Sequence, residues 1–179
     1  MKSAVLVIDV QAALCAGEYA AFEAERVIQR INSVTRKARA AAVPVVFIQH
    51  QSQGGVLEFQ SDGWKLAPGL EALPDDMYVQ KKATDSFHET ELGELLERFC
   101  ITELVICGLQ SEFCVDTTVR RSLALGYPVV LVEDGHSTMN NGILNAEQIS
   151  AHHTLTLVSI SSFGPRVRAI PASKVAFVA

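Results

Sequence analysis

The sequence has little that would tie it to nucleic acid, to a membrane or to an oxidising compartment. Its 15 lysines and arginines are scattered and outnumbered by 20 aspartates and glutamates, giving a formal net charge of −5. Without a basic stripe nothing displaces counterions from a phosphate backbone, so no nucleic-acid partner is expected. No apolar run approaches the ~18–20 residues of a membrane span, so no membrane partner is expected either. The opening MKSAVLVIDVQAAL has an apolar stretch after Lys2, but it is short for a secretion signal and Asp9 interrupts it. The four cysteines (Cys15, Cys100, Cys107, Cys114) form no CxxC pair and lack histidines at zinc-ligand spacing. The chain therefore reads as reduced and cytoplasmic. At 179 residues, 49% hydrophobic and 20% charged, it reads as one domain, 1–179, that collapses without a disulfide or metal staple.

What is present is an alternation of short apolar runs with longer helical patterns, the rhythm of βαβ units. The runs are Ala4–Ile8, Val43–Ile48, Met77–Val79, Leu104–Cys107, Pro128–Val132 and Leu155–Ile160. Their near-continuous Val, Ile and Leu suits strands covered on both faces. Helices are expected over Ala20–Ala42, Glu89–Phe99, Glu112–Leu125 and Asn145–His153, with Gly126 as the stop of the third. The stretch Gln49–Pro74, rich in Gly and Pro, reads as a long loop, and loops of that length are usually functional. Pro171–Ala179 reads as a short edge strand or a packing arm. The predicted fold is a three-layer α/β/α, Rossmann-like domain with a mostly parallel six-stranded sheet.

Ligands of such sheets bind at the carboxyl ends of the strands, where strand order reverses. That directs attention to Asp9, His50, Lys81, the Gly108–Cys114 turn and Asp134. Asp9 ends a buried strand, where a carboxylate serves either as a cap on the next loop or as a partly desolvated base. Lys81 and Lys82 point to opposite faces, so at most one reaches a crevice. In Leu104-Val-Ile-Cys-Gly-Leu-Gln-Ser-Glu-Phe-Cys114 a strand ends in a tight turn and a helix follows, with Ser111 as its N-cap. Cys114 falls in the first helical turn, where the dipole lowers a thiol's pKa from ~8.5. On spacing alone, an activated nucleophile and a small buried hydrophobe stand level for Cys114. Cys107 and Cys100 read as core, and Cys15 as the rival nucleophile. His136, Ser137 and Thr138 read as turn and cap groups, and His152-His153 as the cationic end of a helix.

Four segments in order resemble the isochorismatase-like cysteine hydrolases, a superfamily that includes nicotinamidases and N-carbamoylsarcosine amidohydrolases. They are Leu-Val-Ile-Asp9-Val-Gln11, Lys81-Lys-Ala-Thr-Asp-Ser-Phe87-His-Glu-Thr90, Gly108-Leu-Gln-Ser-Glu-Phe-Cys114-Val and Gly126-Tyr-Pro-Val-Val-Leu-Val-Glu-Asp134. The register of Phe87 and Thr90 selects Lys81 over Lys82. The resemblance implies a catalytic triad of Asp9, Lys81 and Cys114 and an acyl-thioester intermediate. It also implies an oxyanion hole from the amides of Gln110 and Cys114, with Leu109–Gln110 as a cis peptide. Gln11, His50, Trp64 and Leu109 are the candidate substrate contacts.

The sequence departs from nicotinamidases, which carry an Asp-x-His metal motif after the second strand. Here that region reads Phe-Ile-Gln-His50-Gln-Ser, with one histidine and no matching aspartate. No metal or other cofactor is expected. Cys114 shifts the weight from isochorismatase-type ether cleavage toward hydrolysis of a small carboxamide, ureido or carbamoyl substrate. An ether hydrolase, and a binding protein with an idle thiol, are the alternatives. The resemblance further implies a homo-oligomer, a dimer or tetramer.

Overall fold

Period-2 alternation along buried strands sorts the apolar residues into two cores. In the computed structural model, which describes residues 2–177, Val5, Val7, Val45, Phe47, Val105 and Cys107 face one side of a sheet. They pack there against Val27, Ile28, Ile31, Val34 and Ala38 of a single long helix. Ala4, Leu6, Ile8, Val46, Ile48, Leu104 and Ile106 face the other side and meet Leu92, Leu96, Val119, Leu123 and Leu157.

The strands are β1 (Ser3–Ile8), β2 (Val45–His50), β3 (Met77–Lys81), β4 (Glu103–Leu109), β5 (Val129–Ser137) and β6 (Val167–Ile170). They lie in the order β3-β2-β1-β4-β5-β6 with every pairing parallel. The helices are α1 (Ala12–Cys15), α2 (Ala24–Ala40), α3 (Leu92–Arg98), α4 (Asp116–Ala124) and α5 (Ala146–Ser159). The α2 helix covers one face and α3, α4 and α5 the other. Strand order reverses between β1 and β4, which opens a crevice at their carboxyl ends. Among the described residues no helix is long and apolar enough to cross a membrane.

Most expected elements are present, with shifted ends. The third predicted helix divides into a π turn over Ser111–Val115 and α4. It closes where Gly126 (φ +95°) sends its N–H to Leu123 O and Tyr127 sends its N–H to Ser122 O. Those paired bonds satisfy the last carbonyls of the helix. The sixth strand is corrected. Leu155–Ile160 belongs to α5, which starts at an Asn145–Gln148 capping box and runs on to Ser159. Its apolar run resembled a strand because Ile149 and Leu157 face the sheet while Leu155 faces out. The true β6 is a four-residue edge strand with Arg168 in its middle, so it shows no apolar run. Cys100 is also corrected, since it follows α3 in an exposed left-handed conformation (φ +52°). The described part of Pro171–Ala179 is a packing arm. Ala172 and Val175 are buried, and Lys37 Nζ donates to the Ala172, Ser173 and Val175 carbonyls. Val178 and Ala179 lie outside the described residues.

The close fit of β4 against β1 depends on Gly108. It has φ +124°, and a Cβ there would overlap the Ile8 carbonyl oxygen and backbone nitrogen. We expect Gly108→Ala to cost more than about 3 kcal/mol, since it combines overlap with backbone and a forbidden φ. Thermal unfolding would show this as a large drop in Tm or loss of the cooperative transition.

Candidate active site

Three strand ends converge on one ammonium. Lys81 closes β3 on the inward side of its alternation and is 1% exposed, while Lys82 faces solvent. Its Nζ donates to Asp9 Oδ2 at 2.7 Å and Ala83 O at 3.0 Å, and lies 3.1 Å from Cys114 Sγ and 3.2 Å from His50 Nδ1. Asp9 follows β1 with φ +49°, its N–H tied to Ile48 O, so its carboxylate turns toward β2 and β3. Its second oxygen, Oδ1, is buried and has no hydrogen-bond partner among the described residues. The Phe87/Thr90 register has a structural reason. Phe87 packs on the core, and Thr90 Oγ1 donates to Ser86 O and accepts from Leu92 N–H at the start of α3. Ser86 N–H and hydroxyl meet Thr118 Oγ1 of α4. These contacts fold the loop after β3 back so that the Ala83 carbonyl faces Lys81.

Cys114 lies in the π turn after β4, a distortion often found at functional sites. The Val115 N–H reaches five residues back to Gln110 O, and the Leu109–Gln110 peptide is cis. The helix-terminus effect on the thiol does not dominate here. Burial pushes the Cys114 thiol up, the Asp9 carboxylate adds to this and Lys81 opposes it, leaving the thiol at about 12. At 9% exposure, desolvation outweighs the helix terminus. Burial alone would lower the Lys81 pKa, but the Asp9 carboxylate, through its charge and its hydrogen bond, holds it above the ordinary lysine value. The resting cluster is thus a carboxylate, an ammonium and a neutral thiol.

The other candidates are placed around this cluster. His50 is the register partner of Lys81 on β2. Beside it a cleft of about 620 Å³ is lined by Gln51, Ser52, Gln53, Phe59, Gln80 and Lys82. Trp64 stands edge-on to Phe59 at 5.0 Å, its indole N–H buried without a hydrogen-bond partner among the described residues. Gln11 is fully buried behind the site. Its Nε2 donates to His50 O and Trp64 O, and its Oε1 accepts from His50 N–H. That amide clamps β1, β2 and the long loop together and leaves no donor for a ligand. Leu109 is 1% exposed and sits under the turn, offering little surface to a substrate. Cys15 packs toward α2 beside Ala21 and Ala24, outside hydrogen-bond reach of Asp9 and Lys81, and burial raises its pKa to about 11. Asp134 turns away as well, accepting from Ala172 N–H and pairing with Arg30.

Ligand atoms of Asp9, His50 and Cys114 lie within 4.8 Å of one another, a set that could attract a metal ion. Lys81 Nζ is within 3.2 Å of all three side chains. An ammonium therefore already stands among the donors, and the residues present do not fit a resident metal.

Fold and site together define a doubly wound α/β domain with a thiol, an ammonium and a carboxylate at its switch point. The isochorismatase domain matches residues 3–158, and the chain belongs to the isochorismatase family. It is 40% identical over 136 residues to a streptothricin hydrolase of Streptomyces noursei, covering 75% of this chain and 49% of that protein. The chain thus spans about half the length of that relative. A crystal structure of an isochorismatase family protein superimposes with a TM-score of 0.86 at 31% identity, covering 94% of this chain and 98% of that one. N-carbamoylsarcosine amidase of Thermoplasma acidophilum has the same fold, with a TM-score of 0.80 at 22% identity over 98% of this chain and 99% of that one.

A polar network behind the thiol was missed in the sequence. Ser111 is not an N-cap. Its hydroxyl meets His136 Nδ1 at 2.8 Å and Ser150 Oγ at 2.9 Å, and His136 Nε2 meets Thr154 Oγ1 at 2.9 Å. His136 is therefore a buried strand residue of β5, and His153 sits within α5, 2.9 Å from Asp116 Oδ1. The i, i+4 spacing of Ser150 and Thr154 on one helix face was the available signal. Burial and the nearby His153 lower the His136 pKa to about 4 against the pull of Asp134. Below the ordinary 6.5 the unfolded chain binds a proton that the native chain refuses until about pH 4. Stability is full above 6.5 and falls toward pH 4, by on the order of 3 kcal/mol. Calorimetry should show Tm falling across this window, and His136→Asn should flatten that part of the curve.

Proposed function

We propose that the chain is a metal-independent cysteine hydrolase that cleaves a C–N bond of a small carboxamide, ureido or carbamoyl substrate. The observation that carries this reading is the single ammonium of Lys81 held between Asp9 Oδ2 and Cys114 Sγ. The similarity to a streptothricin hydrolase, 40% identical over 136 residues, is compatible with it.

In the proposed sequence the thiol proton moves to Asp9 Oδ1, the oxygen without a partner, as Cys114 Sγ attacks the substrate carbonyl carbon. A protonated resting thiol requires that transfer to accompany attack, and Lys81 stabilises the sulfur as it becomes anionic. The amides of Gln110 and Cys114 receive the oxyanion. When the tetrahedral adduct collapses, the C–N bond breaks and protonated Asp9 gives its proton to the leaving nitrogen. Asp9 then takes a proton from water, the hydroxide adds to the thioester, and the C–S bond breaks as Asp9 returns that proton to the sulfur, which releases the acid and restores the thiol and the carboxylate. The sum is amide plus water to acid plus amine, with no external oxidant or reductant.

The protonated resting thiol also sustains a second reading, an ether hydrolase acting through Asp9 and Lys81 alone. Cys114→Ala separates the two in a screen of small amides, ureido compounds and vinyl ethers. The amide reading expects ammonia or amine release that falls about 10³-fold or more in Cys114→Ala, Lys81→Met and Asp9→Asn alike. Turnover that survives Cys114→Ala overturns it in favour of ether cleavage.

A further inference from the structure

The neighbours of Lys81 outnumber its protons. An ammonium has three N–H groups, and four acceptors lie within reach, at 2.7 Å (Asp9 Oδ2), 3.0 Å (Ala83 O), 3.1 Å (Cys114 Sγ) and 3.2 Å (His50 Nδ1). Asp9 is the ion-pair partner and the Ala83 carbonyl is fixed by its loop, so the third proton is contested between sulfur and imidazole. Because Lys81 can only donate, His50 Nδ1 must be the bare nitrogen, and the ring proton sits on Nε2. A neutral thiol is a weak acceptor, so in the resting state the imidazole takes the third proton. Once the thiol proton leaves, sulfur becomes the stronger acceptor and the N–H must turn from His50 to Cys114.

We propose that His50 is a positioning residue that acts through Lys81, competing with Cys114 for the third ammonium proton and so restraining ionisation of the thiol. This rests on the hydrolase reading above. The placement follows from the fold, because His50 and Lys81 are register partners on β2 and β3. Gln11 holds the His50 backbone by both its N–H and its carbonyl, which fixes where the ring begins. The charges around the ring favour its neutral form. Lys81 faces it from β3, Lys82 lines the same cleft, and Asp9 is the opposing charge from β1. Burial and Lys81 lower the His50 pKa, while Asp9 and the Ala83 carbonyl only partly offset them.

The test needs no substrate. The rate of Cys114 alkylation by iodoacetamide is measured at fixed pH values between 7 and 9 by peptide mass spectrometry, over the part of the profile where it still rises with pH. In that range the rate follows the thiolate fraction. His50→Phe removes the competing acceptor and should react roughly three- to tenfold faster than wild type, the worth of one hydrogen bond. His50→Gln keeps an acceptor oxygen and should stay within about twofold of wild type. The acceleration should vanish when His50→Phe is combined with Lys81→Met, because the effect runs through Lys81. An unchanged or slower His50→Phe overturns the proposal, as does a His50→Gln that matches His50→Phe. Acceleration that persists without Lys81 also overturns it, since the route would then be reagent access. If Lys81→Met alone leaves the Cys114 rate at the wild-type value, the underlying hydrolase reading fails and His50 falls with it.

Discussion

Lys81 has no exposed side-chain surface, and its ammonium is 2.7 Å from Asp9 Oδ2. A charge taken that far from water costs several kcal/mol unless an opposite charge and hydrogen bonds meet it. Much of the local architecture answers that requirement. Asp9 is held in a left-handed conformation, the loop after β3 is pinned by Ser86, Thr90 and Thr118 so that a carbonyl faces inward, and the third proton has imidazole and sulfur to choose between. Removing one partner would leave the other charge buried and unpaired. The pair is therefore fixed in place, and the thiol beside it inherits a defined electrostatic setting.

That setting needs three separate strands to end at one level. The parallel order β3-β2-β1-β4-β5-β6 does this, since every carboxyl end lies on the same edge and the reversal at β1 and β4 leaves a gap above them. Asp9, Lys81 and Cys114 come from β1, β3 and the turn after β4. The Gly108 contact brings β4 close enough to β1 for the turn to reach the ammonium. Between Ile106 and Gly108 the register with β5 slips, and this bulge re-aims β5 so that His136 reaches under the nucleophile turn. Fold and chemistry are thus linked at the level of register.

The parts of this arrangement that were legible in the sequence lie where a strand pattern stops at a reactive residue. Asp9 after Val-Leu-Val-Ile and Cys114 after Leu-Val-Ile-Cys-Gly could be placed from apolar runs and turn residues, whereas Lys81 was singled out over Lys82 only by the family resemblance and its Phe87 and Thr90 register. The sixth strand could not. Four residues at a half-exposed edge carry too little apolar pattern to compete with the Leu155–Ile160 run of α5. The state of the thiol was left open between an activated nucleophile and a buried hydrophobe for a different reason. A helix terminus is visible in sequence, but the burial that drives the Cys114 pKa up to about 12 comes from residues distant along the chain. The Ser111–His136–Thr154 network was hidden likewise, because it joins three elements. Gln11 was legible as a residue near the site but not as a clamp behind it, since only the fold shows that its amide is fully engaged.

The central claim is that Asp9 holds Lys81 charged in the interior. It is tested most directly by nitrogen-detected NMR of the lysine ammonium groups, with Lys81 assigned by its loss in Lys81→Met. The account predicts a slowly exchanging, protected NH₃⁺ signal for Lys81 that persists above the ordinary lysine pKa of 10.5 and is lost or shifted to lower pH in Asp9→Asn. A Lys81 that titrates below 10.5, or whose titration is indifferent to Asp9→Asn, would contradict it.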